Sequence, residues 1–530
     1  MTSIADIFVG LLLAVVVLAL LARKLSMPYP ILFVLGGLAL SLIPKLPDVR
    51  LNPELVFQFF LPPLLFPAAL FTSWRDFRAN LRPIALLAVG LVLFSTLAVA
   101  LLAHYLMGLP LAVGFVLGAI VSPPDAIAAS AMADGLKIPR RIVTILEGES
   151  LVNDATALVA YRFALVAVVT GSFSLPQAGG QFIFMSLGGL LIGLLIGWLA
   201  ERFHQRVDDA PIEVTVSLLT PFVAYLLAEQ LKLSGVLAVV TAGLYLGMRM
   251  PVLLSFKTRL QGGPVWEMVE FLLNGFVFIL IGLQLPSVLH ALSVQAVPFH
   301  RLLWYALMVS LTVILVRIFW VFPAIYLPRW ILQRHSKSNP APRWRHVTII
   351  AWTGMRGVLS LAAALALPLT RQDGTVFPGR DLILFLTFTV ILVTLVVQGL
   401  SLPPLIRWLG VKDDGSSASE ERKARLKANQ EALASLSEIE EMDPAKEDAL
   451  QRLRIEYEDH IRQVEGAASA NEGSLKRRFS SEYERLSLAT LLQERQTIIQ
   501  LRNEDVISDE VLRRIQRDID LAEARLAHHQ

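Results

Sequence analysis

Up to about Leu409 the chain is a succession of apolar runs separated by short polar segments. Runs of about 17–25 apolar residues are long enough, as α-helices, to cross the hydrocarbon core of a bilayer. They are expected near residues 7–22, 29–43, 53–70, 83–107, 110–133, 142–170, 181–200, 211–230, 234–250, 265–285, 302–327, 346–369 and 381–404, about thirteen helices in all. The second and third are short or rich in proline. The pattern predicts an all-α polytopic membrane protein. Met1 to Asp6 carries no basic stretch of the kind that opens a cleaved signal peptide, so the first run is expected to remain as a helix.

After Leu409 the pattern changes. The linker VKDDGSSASEER opens a stretch rich in Glu, Lys, Arg, Ala and Leu, with apolar residues three and four apart and opposite charges between them, hence amphipathic helices. Breaks are expected near Asp443-Pro444 and across Gly466 to Gly473. Residues 1–409 therefore form a transmembrane domain and 410–530 a helical tail, either regulatory, dimer-bracing or simply solubilising.

Composition agrees with this reading. Of 530 residues, 55% are hydrophobic, and the net charge is only +3, which excludes a soluble enzyme and gives no nucleic-acid signal. There is no cysteine, so neither a disulfide nor a thiolate metal site can form. The basic residues instead report topology. Segments with Arg23 and Lys24, with Arg75, Arg78 and Arg82, with Lys137, Arg140 and Arg141, with Arg202 and Arg206, with Arg249, Lys257 and Arg259, and with Arg329 to Arg345 alternate with poorly charged ones. The positive-inside rule places the first set in the cytoplasm. An odd number of spans then leaves the amino terminus outside and the tail inside.

The polar residues within the apolar runs carry the candidate chemistry. Charged groups at membrane depth cost about 2.5–3.5 kcal/mol on insertion scales, so their presence is a functional signal. Gly118 to Arg162 contains Asp125, Glu147, Glu149, Asn153 and Asp154, with a Pro123-Pro124 pair. Two prolines in succession remove two donors and break a helix, here near Ser122, with helix expected to resume after Asp125. Asp125 would cap that second half-helix and, at a break lined by unpaired backbone groups, would also help to bind an ion. In the following helix, Glu147, Ser150 and Asp154 share one face, while Glu149 and Asn153 share another. Asp154, Asp125, Ser150, Asn153 and Ser122 offer the oxygens that a small hard cation requires; Glu149 suits a structural role.

Other polar residues read differently. Glu213 and Glu229, at either end of the eighth run, suit solvated helix ends. Glu267 and Glu270 lie near the inner end of their helix, and Asn274 and Gln284 suit hydrogen bonds between helices. Arg317 and Arg356 remain charged and need a carboxylate or backbone partner. The nine histidines show no metal-site spacing.

The combination SPPDA, EGESLVNDA and WTGMRGVLSLAAALALP (Trp352 to Pro368) resembles the monovalent cation/proton antiporters, in particular the bacterial sodium/proton exchangers related to the eukaryotic plasma-membrane exchangers. The likeness runs from about Leu61 to Pro404. It implies inverted repeats whose discontinuous helices cross at mid-membrane, a mobile core domain, and a scaffold that forms a homodimer in the cell inner membrane. It also pairs Arg356 with Glu149 in a structural ion pair, and these two are sensible mutual counter-ions on chemical grounds as well. In FFLPPLLFPAAL many members carry an acid where this chain has Pro67, which puts the cation choice in question.

The function so implied is exchange of Na+ for H+ without ATP, redox cofactor or enzymatic chemistry. Asp154 either holds a proton or releases it and coordinates Na+ together with Asp125 and Ser150, but hardly does both. Asn before Asp, in the family, implies electroneutral one-for-one exchange. K+ or Li+ as the transported ion remains open, as does a different class, a cation channel or membrane sensor.

Overall fold

The computed structural model describes residues 4–25, 27–43, 56–125, 138–171, 175–294, 298–332, 343–371, 374–411, 416–437, 450–458, 461–462, 490–498 and a few isolated positions near the carboxy terminus. Two compact units result, Met1–Asp413 and Asp414–Gln530.

Among its described residues the first unit consists of helices joined by turns and short irregular segments, with one isolated bridge, Thr370 to Val376. Besides a short helix at Trp74–Ala79, the helices are α1 (Ile4–Leu25), α2 (Tyr29–Ser41), α3 (Val56–Phe71), α4 (Leu81–Met107), α5 (Leu111–Val121), α6 (Arg140–Thr170) and α7 (Leu175–His204). They continue as α8 (Ala210–Gln230), α9 (Gly235–Leu253), α10 (Phe256–Val294), α11 (Phe299–Leu332), α12 (Trp344–Trp352), α13 (Val358–Leu365) and α14 (Arg380–Leu409). Among the described residues, eight helices are long and apolar enough to cross a membrane, and four shorter ones are apolar as well.

Local chemistry sets the ends. The side chains of Asp209 and Ser234 accept the amides of Ile212 and Leu237, both at 3.3 Å, and so cap α8 and α9. Gly108 and Gly171 close α4 and α6 in the left-handed conformation, where a side chain would be strained. α4 and α14 each contain a widened π-turn, Leu86–Leu91 and Thr394–Gln398, a distortion common near functional sites.

Two runs are interrupted, one where a break is expected and one where a single helix is. The fifth stops at Val121, and residues 122–125 are not helical, which is where the Pro123-Pro124 pair forbids continuation. The expected resumption falls on residues 126–137, outside those described. The twelfth divides into α12 and α13 across Thr353–Gly357, with no proline to break it.

Two buried apolar clusters hold the helices together. One joins α3, α5, α6, α8 and α9 through side chains such as Phe66, Leu117, Leu158 and Val239. The other joins α1, α2 and α10 to α14 through Phe33, Phe278, Ile350 and Phe388. α2 and α10 meet at Gly37 and Gly282, where an added Cβ would lie 2.1 Å from Ile279 O and 2.2 Å from Val34 O; only backbone fits there. On the outer faces of α1 and α7, Phe8, Leu13, Phe184 and Leu191 are exposed, as on a surface that faces lipid.

In the second unit, Ser416–Ser437 forms one polar helix, and Ile498 and Ile519 pack with Leu491 and Ile515.

Candidate functional site

The two interruptions lie against each other. The amide of Asp125 donates to Met355 O at 2.7 Å, a direct backbone link between the break after α5 and the break between α12 and α13. Each break ends a helix whose last carbonyls have no partner within the helix, and the resulting C-terminal ends are electronegative. Two arginines answer them. Arg356 Nε donates to Val121 O at 3.0 Å and Nη2 to Ser122 O at 3.4 Å, at the end of α5, and Nη1 donates to Gly354 O. Arg317, from α11, donates from Nε and Nη2 to Ile350 O at 3.3 and 3.1 Å, in the last turn of α12.

Arg317 also binds Glu149. Nη1 reaches one carboxylate oxygen at 2.6 Å and Nη2 the other at 2.9 Å, with both side chains buried. The expected pairing of Glu149 with Arg356 is therefore corrected. Glu149 is held in a two-pronged grip by Arg317, and the hydrogen bonds of the Arg356 guanidinium go to carbonyl oxygens. The reason is geometric: Arg356 sits within the break itself, where the orphan carbonyls are, whereas Arg317 approaches from a neighbouring helix and spans Glu149 and α12. The backbone amide of Arg356 is anchored separately, donating to Thr394 Oγ1 at 3.1 Å, which lies in the π-turn of α14.

Beside the crossing is a cavity of about 460 Å³. Its polar wall includes Asp125, Glu147, Ser150, Asp154, Glu267 and Glu270, and Pro67 contributes to its apolar wall. The face of α6 that carries Glu147, Ser150 and Asp154 thus looks into the cavity, while Glu149 on the other face meets Arg317. Asn153 and Ser122 lie behind the wall. Asn153 Nδ2 donates to Pro124 O at 2.9 Å, fixing the proline break, and its Oδ1 is buried with no hydrogen-bond partner among the described residues. Ser122 Oγ donates to Ala119 O at 3.2 Å and accepts from Thr96 Oγ1 at 3.4 Å.

Gly357 explains how Asp125 fits. A Cβ on this residue would lie 1.6 Å from Asp125 Oδ2, so the carboxylate occupies the space that any other residue would need. Gly357 immediately precedes α13, whose N-terminal end favours a negative charge. Asp125 is thereby placed beside Asp154 in one cavity without an arginine between them.

Glu213 and Glu229 are not solvated helix ends. Glu229 accepts from Arg162 Nη2 through both oxygens at 2.8 Å, joining α8 to α6. Glu213 is buried. Proximity to a helix end indicates nothing about what a neighbouring helix covers. Sequence reasoning reads Gly357 only as one of two glycines that let the backbone beside Arg356 approach a neighbour, not as the seat of Asp125, and it gives no role to Thr394. The first had a signal, a glycine beside a mid-membrane arginine; a lone hydroxyl within an apolar helix, such as Thr394, had none.

Comparison with known proteins gives a consistent result. The sequence profile of the sodium/hydrogen exchanger transmembrane family matches residues 11–408. An uncharacterized Na+/H+ exchanger of Mycobacterium bovis is 37% identical over 524 residues, covering 98% of this chain and 96% of its own. A sodium, potassium, lithium and rubidium/H+ antiporter of Bacillus subtilis is 38% identical over 387 residues, 71% of this chain and 58% of its own. The solved structure of the sodium proton antiporter MjNhaP1 from Methanocaldococcus jannaschii superposes with a TM-score of 0.60 at 21% identity, covering 76% of this chain and 98% of that one. With two helix breaks meeting beside a carboxylate-lined cavity, and with this breadth of likeness, the chain belongs to the sodium/hydrogen exchanger family.

Proposed function

We propose that the protein exchanges Na+ for H+ through the cavity beside the crossing, with Asp154 as the group for which the two ions compete. The observation that carries this is the placement of Asp154, Asp125 and Ser150 together on one cavity wall. Asp154 is 8% exposed, so a change in its charge needs compensation from whatever occupies the cavity. A proton neutralises it directly; a hard cation, bound with Asp125 and the hydroxyl of Ser150, does so by coordination. One occupant excludes the other. Alternating exposure of the site to the two sides then makes the fluxes opposite, and one cation for one proton moves no net charge.

Asn153 supports the site through Pro124: its amide nitrogen holds the break at which Asp125 is presented. The Glu149–Arg317 pair and Arg356 hold the crossing in place, so that the cavity wall keeps its shape while its occupant changes.

A second cation has a specific observation behind it. The wall at Pro67 is apolar, which leaves the cation with fewer fixed charges and a weaker size preference. The name of the Bacillus relative, which includes potassium, lithium and rubidium, points the same way. We infer that K+ and Li+ are also exchanged.

Proteoliposomes containing the full chain test this. Addition of Na+, K+ or Li+ should release protons from the wild type with little dependence on membrane potential, and should release none from Asp154→Asn. Equal activity in the variant would remove Asp154 from the mechanism, and flux that follows membrane potential without counter-movement of protons would indicate a channel.

A further inference from the structure

A second cavity of about 620 Å³ lies among α3, α7, α8, α9 and α10, and it shares only Phe71 with the first. It lies where α7 and α9 end and α8 and α10 begin, the end of the bundle at which Arg202, Arg206, Lys257 and Arg259 gather. Its size falls within the range of about 300–1,000 Å³ usual for small-molecule sites. Leu70, Phe71, Val214, Met250 and Leu254 make most of its wall apolar.

Glu213 lines this cavity and is 2% exposed. Among the described residues its carboxylate has no hydrogen-bond partner, and Oε2 is fully buried. An acidic side chain is kept this far from water only at substantial cost unless something compensates it. Each of the other polar side chains in the wall has at least one partner of its own. Ser217 Oγ accepts from Trp266 Nε1 at 2.9 Å, and Thr258 Oγ1 is 3.1 Å from Ser255 Oγ. Arg259, exposed at the rim, donates to Leu254 O. His204 is buried; its Nδ1 is 2.8 Å from Ala200 O, and since a carbonyl can only accept, Nδ1 carries a proton. In that tautomer Nε2 is the acceptor.

The cavity therefore presents a carboxylate and an imidazole nitrogen within apolar walls. A bare alkali cation would find too few oxygens here. An ammonium group bonded to an apolar body needs only these, one charged acceptor and one neutral acceptor, with carbon against carbon elsewhere. We propose that this cavity is a binding site for an organic monocation, an amine protonated at neutral pH, held by Glu213.

The test uses the full chain in detergent and titration calorimetry with phenethylammonium, with phenethyl alcohol as the uncharged counterpart. Phenethylammonium should bind the wild type and Asp154→Asn alike, and Glu213→Gln at least about tenfold more weakly, the loss typical of a buried charged hydrogen bond. Phenethyl alcohol should bind the wild type no better than phenethylammonium binds Glu213→Gln. Cation-driven proton release by Glu213→Gln would show that this variant folds.

Gly262→Leu is a second variant that leaves the carboxylate in place. A Cβ at Gly262 meets only Val214 Cγ2, itself in the cavity wall, at 3.9 Å, so the larger side chain fills the cavity without a clash at its base and should also block binding. Absence of saturable binding to the wild type, binding unaffected by both variants, or binding lost in Asp154→Asn would each overturn the proposal, the last by placing the amine in the ion cavity.

Discussion

Replacing Arg317 by Met should destabilise the protein more than any other single change at the crossing. The guanidinium and the Glu149 carboxylate are 0% and 1% exposed. Removing one member of such a pair leaves the other buried and uncompensated, at a cost of about 3–5 kcal/mol. Ile350 O also loses its donor, adding about 1–3 kcal/mol for an unsatisfied buried acceptor. A total of roughly 4–8 kcal/mol is comparable with the whole stability of many folded domains, about 5–15 kcal/mol, so little folded protein is expected. The double variant Glu149→Leu with Arg317→Met removes both charges. An apolar pair of similar volume is often no less stable than the ion pair, so the double variant should recover the larger part and leave only the deficit at Ile350 O. Yield of monodisperse protein by size-exclusion chromatography, and the melting temperature of what is recovered, would measure this. The same cycle with Arg356 in place of Arg317 should show no comparable recovery, because Arg356 serves carbonyls that the loss of Glu149 does not relieve. If Glu149 proved to couple to Arg356 and not to Arg317, the account of the crossing given above would be wrong.

Three further outcomes follow from the same geometry. Gly357→Ala should abolish exchange, because its methyl would occupy the position of the Asp125 carboxylate; normal transport rates in vesicles would show that Asp125 is free to move away. Thr394→Val should cost about 1–3 kcal/mol by leaving the buried amide of Arg356 without its acceptor, and thermal denaturation of the purified variant would read the loss. Asp154→Asn should bind no Na+ in competition with protons and should leave the melting temperature insensitive to added Na+, whereas the wild type should be stabilised as the ion saturates it.

How far the sequence could be read depended on whether the relevant physics is local. The apolar runs, the break at Pro123-Pro124 and the shared face of Glu147, Ser150 and Asp154 follow from chain geometry over a few residues; the break and the shared face are present, and among the described residues eight of the thirteen expected runs are helices long enough to cross a membrane. The interruption at Thr353–Gly357 was less legible, because no proline marks it; it depends on contacts with the other break and with Arg317. The partner of Glu149 could not be found by spacing. Two arginines of equal charge were available, and only the arrangement of α11 against α12 assigns Arg317 to the carboxylate and Arg356 to the carbonyls. Glu213 and Glu229 misled for a related reason. A residue near the end of an apolar run looks solvated in one dimension, while in three dimensions neighbouring helices bury Glu213 and supply Arg162 to the half-buried Glu229.

The bond from Arg356 Nε to Val121 O joins residues 235 positions apart. At about 5–20 residues per second, the ribosome needs roughly 10–50 s to make the intervening chain. Throughout that interval α5 has entered the membrane with its terminal carbonyls uncapped, and for much of it Glu149 has no guanidinium to meet. Insertion and assembly of this protein are therefore separate events in time. A ribosome that stalls after the first half leaves a membrane-embedded intermediate with carboxylates in search of partners, the kind of species that membrane quality-control proteases and insertion chaperones are placed to recognise.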